Sequence, residues 1–323
     1  MRALLLAVML ALTPAPPQPA TLGVQTQDGW REWWREDRAP ARWNTSLPLV
    51  WNAVTWEDSA GGVALGSLRL SGDGVAWRIR AIVLIVDPGQ IRFALAGFRT
   101  RRRAPFAWTI ADAPDSALFA LNAGQFNDNG AWGWLVNGGK ELQPPGRGPL
   151  APAIVVDTAG VVRLVPPDSI ATVRGSGVAA TAFQSYPTLL EGDGTVPTAL
   201  QHDMPGLDRT HRDSRMAFGL LRDGRVVIVL TRFEGLGGML ENLPFGLTTP
   251  EMAALLGALG ASRAVLLDGG VSSQLLVRLH GTERRWTGWR NVPMGIVAKA
   301  GRREGRDVTG RMGRMHPDPS RPW

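Results

Sequence analysis

Short runs of apolar and β-branched residues recur through the middle of the chain and are interrupted by glycine, proline and aspartate. Such runs between turn-forming residues are typical of β-strands. The Asp223-Gly224 pair, which separates the apolar runs 216–221 and 226–230, predicts a β-hairpin. Eight further apolar runs lie upstream of this hairpin. The first three predict a β-meander, and the other five predict further strands. These predicted segments are 63–70, 75–86, 91–95, 117–122, 133–136, 153–156, 161–165 and 186–190.

One segment carries the signals of a helix at both ends. A threonine cap at position 248 or 249, Pro250 and Glu251 suit the first turn, and Gly260 ends the pattern. Residues 264–267 then form an apolar run that predicts a buried strand leading directly into Asp268. The apolar stripe of the predicted helix consists of Met252, Leu255, Leu256 and Leu259.

The many strands and few helices predict an α+β or mixed α/β fold, with a largely antiparallel or mixed β-sheet and a few packed helices. We expect a single catalytic domain over residues 61–300, which is long enough to bury a sizeable core. Residues 21–60 are rich in tryptophan without a clean strand pattern and predict an N-terminal strap over that core. Residues 301–323 are basic and nearly devoid of apolar side chains, which predicts a disordered tail.

Residues 1–20 have the layout of a secretory signal peptide. Arg2 is followed by an apolar run as far as Leu12 and then by a proline- and alanine-rich stretch. The run is shorter than the roughly 20 apolar residues that span a bilayer, although an uncleaved N-terminal anchor remains an alternative. The sequence therefore predicts an exported, periplasmic or extracellular protein with no integral membrane span after signal removal.

Composition excludes several kinds of chemistry. The chain has no cysteine, so a disulfide framework, a thiolate nucleophile and a cysteine zinc site are excluded. The net charge is +7, and all but two of the 35 basic residues are arginines, which suits either an anionic partner or a solvated surface. No nucleic-acid-binding motif is present, and we expect no nucleic-acid partner and no required cofactor.

A polar loop follows the predicted strand at Asp268. Burial at a strand end raises the pKa of a carboxyl group, the glycines Gly269 and Gly270 let backbone N–H groups approach a ligand, and Ser272 and Ser273 add short donors. The pattern indicates a site for an anion or a sugar. The alternative is an aspartate that only caps the following turn, with glycines that the turn requires.

Four segments, in this order, resemble motifs of the phosphodiester glycosidase family, and the resemblance extends over about residues 63–300. Within them, Ala123, Gln125 and Met216 differ from the residues typical of that family, which predicts a pocket of different shape. The four segments are 121–126, 184–192, 214–219 and the helix and loop of 248–273.

The resemblance implies an exported hydrolase that cleaves a glycosyl phosphodiester, a sugar 1-phosphate diester, of a cell-envelope or extracellular glycan. With that substrate, Arg215 is predicted to clamp the phosphate, Asp268 to act as nucleophile or general base, and Asn122 to orient a sugar hydroxyl or phosphate oxygen. The expected partner is thus a phosphorylated sugar or glycan. The alternative is a non-catalytic envelope protein that binds phosphorylated glycans or assists exopolysaccharide biosynthesis.

Several further residues are candidates at such a site. Trp134 could stack on a sugar face, and His211 could contact phosphate or shuttle a proton. A second carboxylate, if one is needed, would come from Asp128, Asp193 or Asp213, between which the sequence does not choose. A divalent cation shared by Asp128 and the catalytic carboxylate stays an alternative, although no calcium-type loop is present. The predicted substrate-binding residues are Gly124, Gly269, Gly270, Ser272, Ser273, Trp134 and His211.

Overall fold

The structure is a computed structural model and describes residues 18–72, 78–97, 107–202, 207–234 and 245–301. The predicted signal peptide, apart from residues 18–20, and the predicted tail, apart from Gly301, lie outside the described residues. Residues 75–77 of one predicted strand lie outside them as well.

The described residues form three main antiparallel sheets and one two-stranded ribbon. The main sheet has nine strands: β1 Thr21–Thr26, β2 Gly29–Arg35, β3 Thr55–Ala60, β4 Val63–Gly72, β5 Ile79–Val86, β15 Thr188–Leu190, β16 Met216–Leu221, β17 Val226–Phe233 and β18 Ala261–Leu266. The second sheet contains β10 Leu135–Asn137, β11 Lys140–Gln143, β12 Ala153–Asp157, β13 Val162–Val165 and β14 Ala179–Gln184. The third contains β6 Ile91–Ala96, β7 Ala117–Asn122, β19 Leu275–Leu279, β20 Thr282–Trp286 and β21 Gly295–Ala300, and the ribbon pairs β8 Phe126–Asn127 with β9 Gly130–Ala131.

The described helices are short and few: α1 Pro48–Trp51, α2 Ile170–Ser176, α3 Thr198–Gln201 and α4 Thr249–Ala258. The expectation of a largely antiparallel sheet with a few packed helices is confirmed. Because the chain is dominated by strands, the α+β label fits it only loosely. No helix in the described parts of the chain is long and apolar enough to cross a membrane.

The central strands of the main sheet are buried on both faces. Along its central strand β5, Val83 and Ile85 pack into a cluster that includes α4, whereas Leu84 and Val86 pack into a cluster with strands of the other two sheets. Successive side chains of a strand point to opposite faces, so a strand covered on both sides reads as one continuous apolar run. This double burial explains why β5 and β17 are apolar without alternation.

The helix predicted before Asp268 is confirmed as α4. Thr248 accepts a hydrogen bond from the N–H of Glu251, and the Glu251 carboxylate accepts one from the N–H of Thr248, which forms a capping box. The helix is buried nearly all round, so its apolar positions do not form the single stripe that the sequence predicts. The hairpin at Asp223-Gly224 is confirmed as β16 and β17.

The sequence showed no clean strand pattern in the segment 21–60, the predicted N-terminal strap. This segment contains β1, β2 and β3, which extend the main sheet beyond β4. In β1, Leu22 and Val24 are fully buried and alternate with partly exposed residues, which is the pattern of a strand with one buried face. The predicted meander also breaks after β5, because β6 pairs with β21 in the third sheet.

Candidate active site

The motif segments meet at the carboxyl end of β18. The backbone N–H of Asp268 donates to the carbonyl oxygen of Ala123 at 3.2 Å, which ties the strand end to the residue after β7. Two residues later, the N–H of Gly270 donates to the carbonyl oxygen of Ser214 at 2.7 Å, just before β16. Three segments that are far apart in the sequence therefore share one backbone hydrogen-bond network.

The fourth motif segment joins the same network through side chains. The hydroxyl of Ser185 donates to the carbonyl oxygen of Leu266, the last residue of β18. The amide nitrogen of Gln125 donates to the carbonyl oxygens of Tyr186 and Leu267, at 3.0 and 3.3 Å. Gln125 is one of the positions that depart from the family pattern, and it braces the strand end that leads into Asp268.

Asn122 lies at the end of β7 and is fully buried. Its Nδ2 donates to the carbonyl oxygen of Asp268 at 2.6 Å, and its Oδ1 accepts from the N–H of Gln274 at 2.9 Å. Both ends of the carboxamide are thus engaged inside the protein. This geometry gives Asn122 a positioning role instead of the predicted contact with substrate.

The Asp268 carboxyl group is largely buried. Burial raises its pKa to about 6, and the negative charge of Asp213 adds to this effect. Hydrogen bonds from Ser272 and from the N–H of Gly269, together with the positive charge of Arg290, partly offset the increase. Its Oδ2 is buried and has no hydrogen-bond partner among the described residues. An oxygen in that state can accept a proton or contact a ligand.

Of the three candidate second carboxylates, Asp213 is the one whose charge acts on Asp268. Burial raises the pKa of Asp213, while Arg215 and the N–H of Ser214 lower it. The Asp213 side chain also lies against Gly270, where a Cβ would stand 2.6 Å from Oδ2. The structure therefore brings two carboxyl groups together on the glycine loop.

The other two candidate carboxylates are exposed to solvent. Asp128 is exposed in the turn between β8 and β9. Asp193 occupies a turn position with positive φ and forms an exposed ion pair with Arg42. No group of three or more His, Asp or Glu side chains in the described residues is arranged to hold a metal ion.

Arg215 precedes β16 and is held by backbone carbonyl groups. Its Nε donates to the carbonyl oxygen of Leu247 at 2.9 Å and its Nη2 to that of His211 at 2.6 Å. Burial lowers the pKa of the guanidinium, and the charge of Asp213 opposes this shift. The positive charge of Arg215 is therefore fixed beside Asp213, whose own charge acts on Asp268.

His211 is exposed at the edge of this cluster. Its Nε2 is 3.6 Å from Oδ2 of Asp213, and its backbone N–H donates to Asp208. The imidazole therefore contacts the cluster through Asp213, and not through Asp268.

Ser272 and Ser273 follow the two glycines, and the backbone of Ser273 contacts the buried Arg232. Ser272 hydrogen-bonds the Asp268 carboxyl group, whereas the hydroxyl of Ser273 is buried and has no partner among the described residues. Arg232 donates to the hydroxyl of Ser214 at 2.9 Å and to the carbonyl oxygens of Ser273 and Thr287, at 2.6 and 3.2 Å. This guanidinium therefore joins three separate segments of the chain next to Asp268.

Trp134 and Gly124 are not placed as the sequence predicts. Trp134 is only 1% exposed, packs in the core of the second sheet, and donates from its indole to Glu141 at 3.0 Å. It offers no free ring face to a sugar, so the expected stacking role is corrected to a structural one. Gly124 packs on β14, where a Cβ would lie 2.1 Å from the carbonyl oxygen of Gln184.

Arg290 is a residue of the site that no sequence motif indicated. Its guanidinium lies 4.6 Å from the ring centroid of Phe126, and its charge acts on the Asp268 carboxyl group. Arg290 belongs to the connection between β20 and β21, which carries none of the motif segments. The only sequence signal was a basic and an aromatic residue flanked by glycine and asparagine, which many loops share.

The fold and the site define a class of protein: a strand-rich scaffold that holds two carboxyl groups and two guanidinium groups around a glycine loop. The family model described as phosphodiester glycosidase matches residues 115–299, more than half of the chain. The chain belongs to the phosphodiester glycosidase family.

A solved structure with low sequence identity shows the same fold. The catalytic domain of zebrafish N-acetylglucosamine-1-phosphodiester alpha-N-acetylglucosaminidase superposes with a TM-score of 0.56 and 14% identity, over 77% of this chain and 87% of that one. A hypothetical protein from Synechocystis gives a TM-score of 0.49 and 16% identity, over 89% of this chain and 69% of that one. No curated protein matches the sequence significantly.

Proposed function

We propose that this protein is an exported hydrolase that cleaves a glycosyl phosphodiester of an envelope or extracellular glycan, with Asp268 as the catalytic carboxylate. The observation that carries the proposal is the buried Oδ2 of Asp268, which has no partner among the described residues and lies where the family's motif segments meet. The zebrafish relative's name denotes a glycosidase acting on a sugar 1-phosphodiester, which supports this substrate class.

Asp268 has the acidity that this role needs. With a pKa of about 6 it is mostly ionised at neutral pH, yet basic enough to take a proton from water. In the proposed step, the water oxygen bonds to the anomeric carbon and Asp268 accepts its proton. The bond from that carbon to the phosphate oxygen breaks, and its electron pair leaves with the phosphate monoester. Direct attack by Asp268, followed by hydrolysis, is the retaining version of the same chemistry.

The leaving group determines how much acid catalysis is needed. A phosphate monoester has a second pKa near 6 and departs without full protonation. Asp213 supplies whatever proton is required, because burial keeps its pKa above that of an exposed aspartate. The assignment also explains why Gly270 is required, since any side chain there would displace Asp213.

Two arginines suit the phosphate group. Arg215 is held in place by the carbonyl oxygens of His211 and Leu247, so binding does not have to order a flexible side chain. Arg290, which stacks on Phe126, brings a second positive charge that acts on Asp268. Each can form charge-assisted hydrogen bonds to non-bridging phosphate oxygens.

Hydrolysis of a panel of sugar 1-phosphodiesters tests the proposal. We expect turnover by the native chain, a loss of at least about a hundredfold in kcat for Asp268→Asn, and a raised KM for Arg215→Ala. Asp115→Asn and Arg92→Ala, both at exposed positions, are the matched controls and should leave the kinetics unchanged. Binding without turnover by the native chain would instead support a non-catalytic glycan-binding protein.

The broken bond is identified in oxygen-labelled water. Label in the released sugar indicates attack at the anomeric carbon. Label in the phosphate indicates attack at phosphorus and contradicts the glycosidase mechanism.

A further inference from the structure

The connection between β20 and β21 lies directly against the Asp268 loop. The N–H of Trp289 donates to the carbonyl oxygen of Val271 at 2.7 Å, and the carbonyl oxygen of Thr287 accepts from Arg232. Between them, Gly288 approaches so closely that a Cβ would stand 3.0 Å from the Val271 oxygen and 3.1 Å from that of Ser272. The segment is therefore fastened to the turn that follows Asp268.

The far end of this connection is anchored as well. Val292 pairs with Trp108 through two backbone hydrogen bonds of 3.0 Å. The carbonyl oxygen of Met294 accepts from the N–H of Ala123, the residue that also binds the backbone of Asp268. The tip of the connection, at Trp289 and Arg290, is thus held between two fixed ends.

Trp289 is 59% exposed despite this anchoring. An indole is among the largest apolar surfaces that a protein can bury, and leaving it in water forgoes that stabilisation. Its neighbour Arg290 brings positive charge to Asp268 and stacks on Phe126, so the tip of the connection borders the carboxyl group. A large apolar ring is therefore open to solvent on a segment whose backbone is bonded to the turn after Asp268.

We infer that Trp289 forms a sugar-binding subsite, in which the pyranose ring of the substrate packs its C–H face on the indole next to Asp268. The identity of the ligand as a sugar rests on the proposed function. The location rests on the anchored connection and on the exposure of the ring. Trp289 would thus take the stacking role that the sequence assigned to the buried Trp134.

The physical basis of this recognition is apolar. One face of a pyranose presents mainly C–H groups, and packing it on an aromatic ring removes both surfaces from water. Hydroxyl groups at the ring edge stay free to hydrogen-bond elsewhere. A flat indole on an anchored loop loses little conformational entropy when it binds, which makes the contact efficient.

Calorimetric titration of the full chain tests the subsite without relying on turnover. The probes are the 1-phosphates of α-D-glucose, α-D-mannose and α-D-galactose, with inorganic phosphate as the ligand that lacks a ring. We expect at least one sugar phosphate to bind, with Kd raised about tenfold by Trp289→Ala and less than about threefold by Trp289→Phe. Binding of inorganic phosphate should not change in either variant.

Trp30→Ala is the matched control. Trp30 is 47% exposed on β2 of the main sheet, whereas Trp289 lies in a connection of the third sheet, so the loss of Trp30 should leave every titration unchanged. A thermal unfolding curve for Trp289→Ala that overlays the native curve confirms that the fold is intact.

The outcomes separate this inference from the proposed function. Binding of a sugar phosphate that depends on Trp289 supports the subsite even if no phosphodiester is hydrolysed. Failure of every sugar phosphate to bind the native chain, or binding that Trp289→Ala leaves unchanged, overturns the subsite. In the latter case hydrolysis of a phosphodiester would still support the proposed function.

Discussion

The side-chain amide of Asn122 donates a 2.6 Å hydrogen bond to the backbone carbonyl oxygen of Asp268. The two residues are 146 positions apart, and the bond joins β7 of the third sheet to the end of β18 in the main sheet. The orientation of the carboxyl group therefore depends on how two separate sheets pack against each other.

Replacing Asn122 should damage both stability and catalysis. Asn122→Ala leaves the carbonyl oxygen of Asp268 and the N–H of Gln274 buried without this partner, which should cost about 2–4 kcal/mol of unfolding free energy. We expect kcat to fall more than KM rises, because a misplaced carboxyl group affects the reaction more than binding. Chemical denaturation and steady-state kinetics measure the two effects. Asn129→Ala, in the exposed turn after β8, should alter neither.

The rate of hydrolysis should depend on the ionisation of Asp268. With a pKa of about 6, the carboxylate form dominates at neutral pH and is lost on acidification. We expect kcat/KM to fall about tenfold per pH unit well below pH 6, because only the ionised form can act as base or nucleophile. A pH profile with its acid limb near pH 4 would contradict the raised pKa.

The same shift in pKa predicts how stability depends on pH. Burial raises the pKa of Asp268 from 3.8 to about 6, so the folded protein keeps a proton that the unfolded chain releases near pH 4. Stability is then lost as the pH rises from about 4 to about 6, and above that range the loss is about 2 kcal/mol after allowance for partial exposure. Asp268→Asn should therefore unfold at a higher temperature than the native chain at pH 8 but not at pH 3.5. Equal differences at both pH values would refute this linkage.

Gly270 should tolerate a methyl group less well than another left-handed glycine. Its φ is +59°, and a Cβ would stand 2.6 Å from Oδ2 of Asp213. Gly270→Ala should lower the unfolding free energy by about 1–3 kcal/mol and also reduce kcat, because Asp213 must move. Gly281 has φ +75° with open space around the Cβ position, so Gly281→Ala should cost only the backbone strain of about 1 kcal/mol and leave kcat unchanged. Equal kinetic effects at the two sites would argue against a role for Asp213.

The ion pair of Arg212 and Glu251 should matter far more than an exposed pair. Arg212 donates to both oxygens of Glu251, at 2.6 and 2.8 Å, and the Glu251 side chain is fully buried. Arg212→Ala would leave that carboxylate without its charge partner and should cost about 3–5 kcal/mol in urea denaturation. The exposed Arg174, which pairs with Glu141, is the matched control, and its loss should shift the urea midpoint far less than the loss of Arg212.

Features determined by neighbouring residues could be predicted from the sequence. The capping box of α4 and the hairpin between β16 and β17 need only a few adjacent positions, and both are confirmed. The strands of the N-terminal segment were missed because β2 and β3 show no regular alternation of buried and exposed residues, and because β1 is completed by its distant partner β4. In the same way, nothing local shows that β6 leaves its neighbour β5 to pair with β21.

In the site, too, local features could be predicted from the sequence, whereas contacts between distant segments could not. The sequence placed Asp268 at the end of a buried strand, which the backbone of β18 confirms. It could not choose between Asp213, Asp128 and Asp193, because proximity to Asp268 depends on how the strand ends pack. The burial of Trp134 was equally hidden, since a tryptophan after a glycine suits both a core and a binding surface.

The contacts of Arg232 have a consequence for redesign of this scaffold. One buried cation connects the chain at Ser214, Ser273 and Thr287. A graft that exchanges one of these segments must preserve the acceptor at that position, or it removes a hydrogen bond from a charge shielded from solvent. Library design should therefore vary the three segments jointly, as one module.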